Sequence, residues 1–123
     1  MIFAFRKKVG VWGENVAVEY LKSKGYKIVE RNFRCRFGEI DIIAEDGDVL
    51  TFVEVRTRFE GEKNPPQLSV NNKKQNHISR VAKYYIMLKK IKDVVCRFDV
   101  VAINKKDMKI EHIINAFEVE GYI

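Results

Sequence analysis

The stretch GEIDIIAEDGDVLTFVEVR, residues 38–56, decides the fold of this chain. Asp-Gly between two hydrophobic runs is a strong hairpin signal, so the two halves of the stretch are predicted to pair as antiparallel strands. Its acidic residues are unusual, because Glu39, Asp41 and Glu54 stand inside the strand pattern where Ile or Val would be expected. These carboxylates therefore indicate a role other than closing the turn.

The register of the hairpin decides which of these side chains share a face. A two-residue loop at residues 46–47 would place Glu39 directly opposite Glu54. Because side chains alternate along a strand, four charged residues then project from one side of the sheet: Glu39, Asp41, Glu54 and Arg56. Like charges opposite each other destabilise a sheet, so the acids need compensation. Either a surface ion-pair cluster with Arg56 or a bound divalent cation could provide it.

The rest of the chain predicts one α/β domain. With 123 residues, the chain can form a sizeable core but is too short for two domains. The element order α-β-β-β-α-β-β favours a mixed sheet with helices packed against it. Helices are predicted at 13–24 and from Asn71 or Asn72 to about 90, strands at 26–33, 38–44, 50–57, 94–103 and 108–114, and an exposed loop at 58–69.

Each predicted helix directs charged side chains towards the sheet. Glu14 lies on the edge of the apolar stripe of the first helix, whereas Glu19 points away. Together with the acids of the hairpin, Glu14 resembles the oxygen-ligand set of Mg²⁺. In the second helix, Lys74 and Gln75 border the apolar stripe. Lys74 could therefore contact a phosphate beside the metal, or it could simply lie along the edge of the core.

Composition narrows the class of protein. The net charge of +6, from 23 Lys and Arg against 17 Asp and Glu, favours a polyanionic partner or a well-solvated surface. The two cysteines, Cys35 and Cys96, give no disulfide framework and no zinc spacing. The charges near the start follow the apolar run, the reverse of a secretory signal, and no segment is long enough to span a membrane. A cytoplasmic location without a membrane partner is expected.

Two further groups of residues are predicted to be structural. In the triplet Arg97-Phe98-Asp99, Phe98 is expected to pack and the charged residues are expected to pair with neighbours. His77 and His112 have no partner at metal-ligand spacing and are predicted to be non-catalytic.

The chain resembles the YraN family of small bacterial proteins, within the PD-(D/E)xK nuclease superfamily and similar to archaeal Holliday-junction resolvases. The matching residues run through nearly the whole chain, at 13–14, 25–26, 31–33, 38–41, 52–56, 74–75 and 97–99. The resemblance implies a restriction-endonuclease-like αβββαβ core that occupies residues 1–123 as one domain.

The resemblance also implies an activity, namely a DNA endonuclease that depends on Mg²⁺ or Mn²⁺, with branched DNA as the candidate substrate and a homodimer as the candidate assembly. The metal would be bound by Glu14, Asp41, Glu54 and the carbonyl of Val55, with Glu39 beside them. Arg56 and Lys74 would stabilise charge in the transition state. Apart from the resemblance, the positions of Arg31, Arg34, Arg36 and Lys73 predict either a solvated basic face or a track for nucleic-acid phosphates, and Lys74 and Gln75 could contact a phosphate beside the metal.

Two positions depart from the superfamily pattern. Ile40 precedes Asp41 where Pro is usual, and Arg56 stands where Lys is usual. Arg keeps its proton, with a pKa above about 12, so activation of water would fall to the metal or to Lys74. Two alternatives therefore stay open: a non-catalytic nucleic-acid-binding module that retains the nuclease fold, and a metal-stabilised structural protein without a nucleic-acid role.

Overall fold

Helices and strands follow one another in the predicted order, α-β-β-β-α-β-β. The computed structural model describes residues 2–66 and 70–118, without the side chains of residues 2–7. Within these ranges the elements are α1 (Ile2–Ser23), β1 (Lys27–Cys35), β2 (Gly38–Asp46), β3 (Val49–Arg58), α2 (Asn72–Leu88), β4 (Val95–Asn104) and β5 (Ile110–Ile113). Residues 67–69 of the predicted loop lie outside the described residues.

The strands form a mixed sheet in the order β1-β2-β3-β4-β5. Neighbouring strands are antiparallel except β3 and β4, which run parallel. Since parallel neighbours need a crossover connection, the chain passes through α2 between them. The predicted α/β architecture with a mixed sheet is therefore confirmed.

The two helices cover opposite faces of the sheet. The cluster on the α1 side contains Ala17, Val18, Leu21, Ile42, Ala44, Val53, Val101 and Ile103. The cluster on the α2 side contains Ile40, Ile43, Phe52, Ile78, Val81, Ala82, Tyr85, Phe98 and Val100. Each large apolar side chain buried in this way stabilises the fold by roughly 1.5–3 kcal/mol. The spacing of Ile78, Val81, Ala82 and Tyr85 predicts that they form the inward face of the second helix, and all four are buried. Asn71 caps this helix by accepting the Lys74 N–H at 2.9 Å.

The first helix begins at Ile2, well before residue 13, where the sequence pattern placed its start. Gly10 and Gly13 interrupt the apolar periodicity, and each Gly costs a helix about 1 kcal/mol relative to Ala. The helix nevertheless continues through both glycines. Within the described residues, no helix, α1 included, is both long and apolar enough to cross a membrane.

The predicted register of the central hairpin is wrong by two residues. Asp46 pairs with Val49, so the loop is Gly47-Asp48, and Gly47 takes a φ of 58° as its first residue. Two-residue hairpin loops readily accept glycine at this first position. Because side chains alternate with period two, a shift of two residues keeps the same side chains on the same face.

Candidate active site

Asp41 lies at the point where β2 and β3 separate. The pairing of these strands ends at Ile42 and Val53. Beyond this last pair of residues, the backbone N–H of Val55 donates a hydrogen bond to Oδ2 of Asp41 at 2.8 Å. The carboxylate therefore replaces a strand carbonyl as the acceptor for this N–H, which holds it in the gap between the strands.

Two cavities meet at Asp41. The cavity on the α1 side, of about 470 Å³, also contacts Glu14, Arg56 and Thr57. The cavity on the α2 side, of about 360 Å³, also contacts Glu39, Glu54 and Lys74. Asp41 reaches both because β2 twists here: Ile40 packs in the α2-side cluster, and Ile42, two residues further on, packs in the α1-side cluster. Strict alternation along β2 predicts that Ile40 and Ile42 share a face, and the structure shows that this prediction is wrong.

The environment of Asp41 disfavours its charged form. Burial and, next, the charge of Glu54 raise its pKa to about 7, although the hydrogen bond from Val55 acts in the opposite direction. The charges of Glu14 and Glu39 also raise the pKa. A carboxyl with a strongly perturbed pKa in a cleft is a candidate functional group, and a cation beside it would relieve the repulsion.

Glu54 is held by two cations. Its side chain is buried, and its Oε1 lies 2.8 Å from Nζ of Lys74 and 3.6 Å from Nη2 of Arg56. Lys74 reaches it because the Asn71 cap fixes the first turn of α2 beside the cavity. Of the two positions considered for Lys74, the structure shows the one that brings its charge to the acidic site.

Glu14 is brought to the sheet by a close contact between α1 and β3. A Cβ on the preceding residue, Gly13, would lie 2.5 Å from Oγ1 of Thr57, so only glycine permits this approach. The side chain of Glu14 is 15% exposed, as expected for an inward direction. Its Oε1 is buried and accepts no hydrogen bond from any residue that the structure describes.

The pKa of Glu14 is raised, as is the pKa of Asp41. Burial raises its pKa, whereas a hydrogen bond from Asn32 and the charge of Arg31 act against this. Nη2 of Arg31 lies 3.8 Å from the buried Oε1. Glu14 is thus a desolvated acid with one oxygen that lacks a donor.

The atoms around Asp41 can be compared with the ligands that divalent metals require. Among residues 2–66 and 70–118, no three Asp, Glu, His or Cys side chains are close enough together to hold a metal ion. Carboxylate oxygens are nevertheless the ligands that Mg²⁺ prefers. The unsatisfied oxygen of Glu14 and the raised pKa of Asp41 both fit a nearby cation. The donor chemistry fits the metal, but Glu14, Asp41 and Glu54 would have to move closer together to bind one ion as a set.

The position predicted for Glu39, opposite Glu54, is wrong. Glu39 is paired instead with Arg34 across β1 and β2, and Oε2 of Glu39 accepts a hydrogen bond from Nε of Arg34. The cause is the two-residue shift in register, which removes the opposition of like charges that the sequence pattern implied. Glu39 still lines the α2-side cavity with Asp41.

The arginines of the β1 region are partly committed to neighbouring groups. Arg31 donates to Oδ1 of Asn15 at 2.7 Å, and Arg34 binds Glu39. Arg36 lies over the ring of Phe37, 4.8 Å from its centre. Arg31 and Arg34 therefore balance acids beside the site.

The predicted α2 residues differ in their surroundings. Lys73 is exposed and lines the α2-side cavity. Gln75 instead donates from Nε2 to the carbonyl of Val70 at 2.9 Å, which fixes the segment before the helix. His77 also lines this cavity, although the sequence indicated no partner for it. Its place one helical turn after Lys73 and Lys74 was the signal that could have located it.

A second polar network lies buried on the α1 side of the sheet. Asp99 is fully buried and accepts hydrogen bonds from Nε of Arg97 at 2.8 Å, from Nε2 of His112 at 2.8 Å and from the N–H of Asn115 at 3.0 Å. Burial alone would raise the pKa of Asp99, but the bonds from His112 and Arg97 hold it below its ordinary value. The pairing predicted for Arg97 and Asp99 is therefore confirmed. His112, for which the sequence indicated no partner, belongs to the same network.

The fold and the site together define a small α/β protein with a desolvated acidic cleft between two helices. A family model described as "Uncharacterised protein family UPF0102" matches residues 13–103, so the chain belongs to this family. The matched residues include Glu14, Asp41, Glu54 and Lys74.

Relatives in this family match nearly the full chain. A UPF0102 protein of Thermodesulfovibrio yellowstonii is 52% identical over 112 residues, which cover 91% of this chain and 97% of the relative. One of Geobacter metallireducens is 50% identical over 115 residues, covering 92% and 94%. One of Geotalea uraniireducens is 50% identical over 119 residues, covering 94% of each chain.

Proposed function

We propose that this protein is a divalent-metal-dependent DNA endonuclease of the PD-(D/E)xK type, with branched DNA as its candidate substrate. The observation that carries the proposal is the desolvated acid set around Asp41. Its pKa is raised by burial and by the charges of Glu54 and Glu14, and Glu14 has an oxygen without a donor. Such repulsion persists in a folded protein where a function requires it.

The order and pairing of the elements support the proposal. The αβββαβ core implied by the resemblance corresponds to α1, the antiparallel strands β1 to β3, α2 and the parallel strand β4. In this arrangement each helix supplies a charged side chain to one of the two cavities that meet at Asp41: α1 supplies Glu14 and α2 supplies Lys74. β5 adds a further antiparallel strand beside β4.

The metal would be held by Asp41, Glu54, Glu14 and the carbonyl of Val55. When bound, Mg²⁺ or Mn²⁺ lowers the pKa of a bound water and neutralises charge on a phosphate. Asp41 is already fixed for this role by the N–H of Val55. Val55 itself borders the α1-side cavity beside Asp41 and Glu14.

The cations beside the acids would bind the phosphate. Arg56 presents a planar fork that matches phosphate oxygens, and Lys74 presents a compact charge. Both contact Glu54, so both charges are held at the cleft. Because arginine retains its proton, activation of water would fall to the metal or to Lys74.

A cleavage assay tests the proposal. Purified protein is incubated with labelled junction, flap and linear DNA in Mg²⁺, Mn²⁺ or EDTA. We expect metal-dependent products with the wild type and with Asp48→Asn, a control in the exposed hairpin loop. We expect none with Asp41→Asn. Cleavage that survives Asp41→Asn, or no cleavage of any substrate by the wild type with either metal, would contradict the proposal.

One observation favours a second candidate, a DNA-binding module that retains this fold without catalysis. Glu54 is already neutralised by Lys74 and Arg56, and Arg56 cannot deprotonate water. This candidate predicts salt-sensitive DNA binding that Glu54→Gln leaves nearly unchanged, together with no EDTA-sensitive turnover.

A further inference from the structure

A third cavity opens at the carboxyl end of β3. Its volume is about 680 Å³, and its walls include Arg56, Thr57, Arg58, Lys63 and Asn64. Arg56 and Thr57 also line the α1-side cavity that contains Asp41 and Glu14. The two cavities therefore share a wall, and a ligand long enough to pass Arg56 could occupy both.

The charge of this cavity is opposite to that of the acidic cleft. Three cationic side chains, Arg56, Arg58 and Lys63, line it together with one acid, Glu62. Lys63 is exposed and makes no ion pair or hydrogen bond with the described part of the chain. Its charge is therefore available to an anionic ligand.

Contacts within the described part of the β3–α2 loop fix the walls of the cavity. Arg58 binds Oε2 of Glu62 from Nε at 3.1 Å and donates from Nη2 to the carbonyl of Asn64. On the other side, the carbonyl of Arg58 accepts the N–H of Lys105 at 2.8 Å. The cavity is thus built by interactions of the protein itself before any ligand arrives.

An aromatic side chain stands beside the basic cavity. Phe59 is 44% exposed and borders the α1-side cavity next to Thr57. Cationic grooves with exposed aromatic rings are typical of sites for single-stranded nucleic acid, where phosphates meet the cations and unpaired bases stack on the rings.

We propose that this cavity binds the backbone of a single-stranded segment that flanks the acidic cleft, with phosphates at Lys63 and Arg56 and an unpaired base on Phe59. The inference rests on the proposed function, because it takes the strand in this cavity to be the one that enters the cleft. It specifies the substrate class as nucleic acid with unpaired nucleotides next to the site of reaction.

The test is binding of a fluorescein-labelled single-stranded oligonucleotide, and of the matching duplex, in EDTA across a series of salt concentrations. Binding in EDTA is independent of turnover. We expect tighter binding of the single strand than of the duplex. Lys63→Ala should weaken binding and reduce the slope of log K against log salt by about 0.7, as expected for the loss of one phosphate contact to a single strand. Phe59→Leu should weaken single-strand binding about fivefold or more at an unchanged slope.

The matched control is Lys92→Ala, which removes the same charge from an exposed lysine before β4, at the opposite end of the sheet from Arg58. If Lys63→Ala and Lys92→Ala behave alike, or if the wild type does not prefer the single strand, the inference is overturned while the proposed nuclease activity stands. If the wild type binds as expected but cleaves no DNA, the inference holds and the nuclease proposal fails. An absence of any binding by the wild type overturns the inference, and the cleavage assay in Mg²⁺ or Mn²⁺ then decides the nuclease proposal by itself.

Discussion

The backbone N–H of Val55 donates to the carboxylate of Asp41 over 2.8 Å, immediately beyond the last paired residues of β2 and β3. This bond satisfies a strand donor with a side chain, so the sheet can open without leaving the N–H unpaired. It also fixes Asp41 beside Glu54, whose charge contributes to the raised pKa of Asp41. One hydrogen bond thus satisfies the strand donor at the gap in the sheet and holds the acid there.

The raised pKa of Asp41 makes the stability of the metal-free protein depend on pH. The pKa rises from 3.8 to about 7 on folding. Between these values the folded chain binds a proton that the unfolded chain has released, so the free energy of unfolding falls as pH rises from about 4 to about 7. Asp41→Asn does not titrate, so its free energy of unfolding should rise by about 4 kcal/mol relative to that of the wild type across this window. Thermal unfolding in EDTA measures the difference, and Asp48→Asn should follow the wild type. A constant difference between Asp41→Asn and the wild type would contradict the assigned pKa.

The contact between Gly13 and Thr57 predicts opposite effects of alanine at two positions of α1. Gly13→Ala would place a Cβ 2.5 Å from Oγ1 of Thr57 and should destabilise the protein by about 1–3 kcal/mol. Gly10→Ala has no atom within 4 Å of its Cβ and should stabilise it by about 0.5–1 kcal/mol. Denaturant unfolding measures both. Thr57→Ala should restore part of the stability lost by Gly13→Ala, and a failure to do so would show that another contact is responsible.

The ion pair between Lys74 and Glu54 predicts that a single substitution strengthens metal binding and slows catalysis. Removing the lysine charge frees Glu54, so Lys74→Met should bind Mn²⁺ roughly fivefold more tightly, for an interaction of about 1 kcal/mol at a partly exposed pair. The same variant should cleave DNA more slowly, because the cation beside the phosphate is lost. Calorimetry and the cleavage assay measure the two effects. The control is Lys73→Met, which should leave Mn²⁺ affinity unchanged. Weaker Mn²⁺ binding by Lys74→Met would refute this arrangement.

The buried network at Asp99 predicts a large structural effect. Asp99→Asn removes the charge that faces Arg97 and His112 and should destabilise the protein by about 3 kcal/mol. Because the pKa of Asp99 is lowered on folding, this stabilisation is present at neutral pH and is lost as pH falls through the folded value. Denaturant unfolding at pH 7 and in acid measures it. An equal effect of the substitution at both pH values would argue against an ionised Asp99.

Residues with strong local signals were predicted correctly from the sequence. The sequence predicted a cap at Asn71 or Asn72, and the structure shows that Asn71 is the cap. The apolar face of α2 through Tyr85 follows from spacing within one helix and is confirmed. Phe52 and Glu54 are two residues apart on one strand, so their side chains are predicted to lie on the same side of the sheet. A register shift of two residues leaves this prediction unchanged.

Features that depend on contacts between distant segments were not predicted. The close contact of Gly13 with Thr57 cannot be deduced from the sequence. The glycine was therefore interpreted as the boundary of the helix, and the predicted start of α1 at residue 13 was wrong. His112 lies on β5, far along the chain from Tyr20, whose hydroxyl is 3.3 Å from its Nδ1. The twist that brings Asp41 to both cavities depends on where the β2–β3 pairing ends, which residue patterns alone do not specify.

Calorimetric titration with Mn²⁺ tests most directly whether the acid set around Asp41 binds a metal. The account predicts that the wild type and Asp48→Asn bind Mn²⁺ with the same affinity and that Asp41→Asn loses this binding. Equal binding by Asp41→Asn, or no binding by the wild type at pH 8, where Asp41 is ionised, would contradict it.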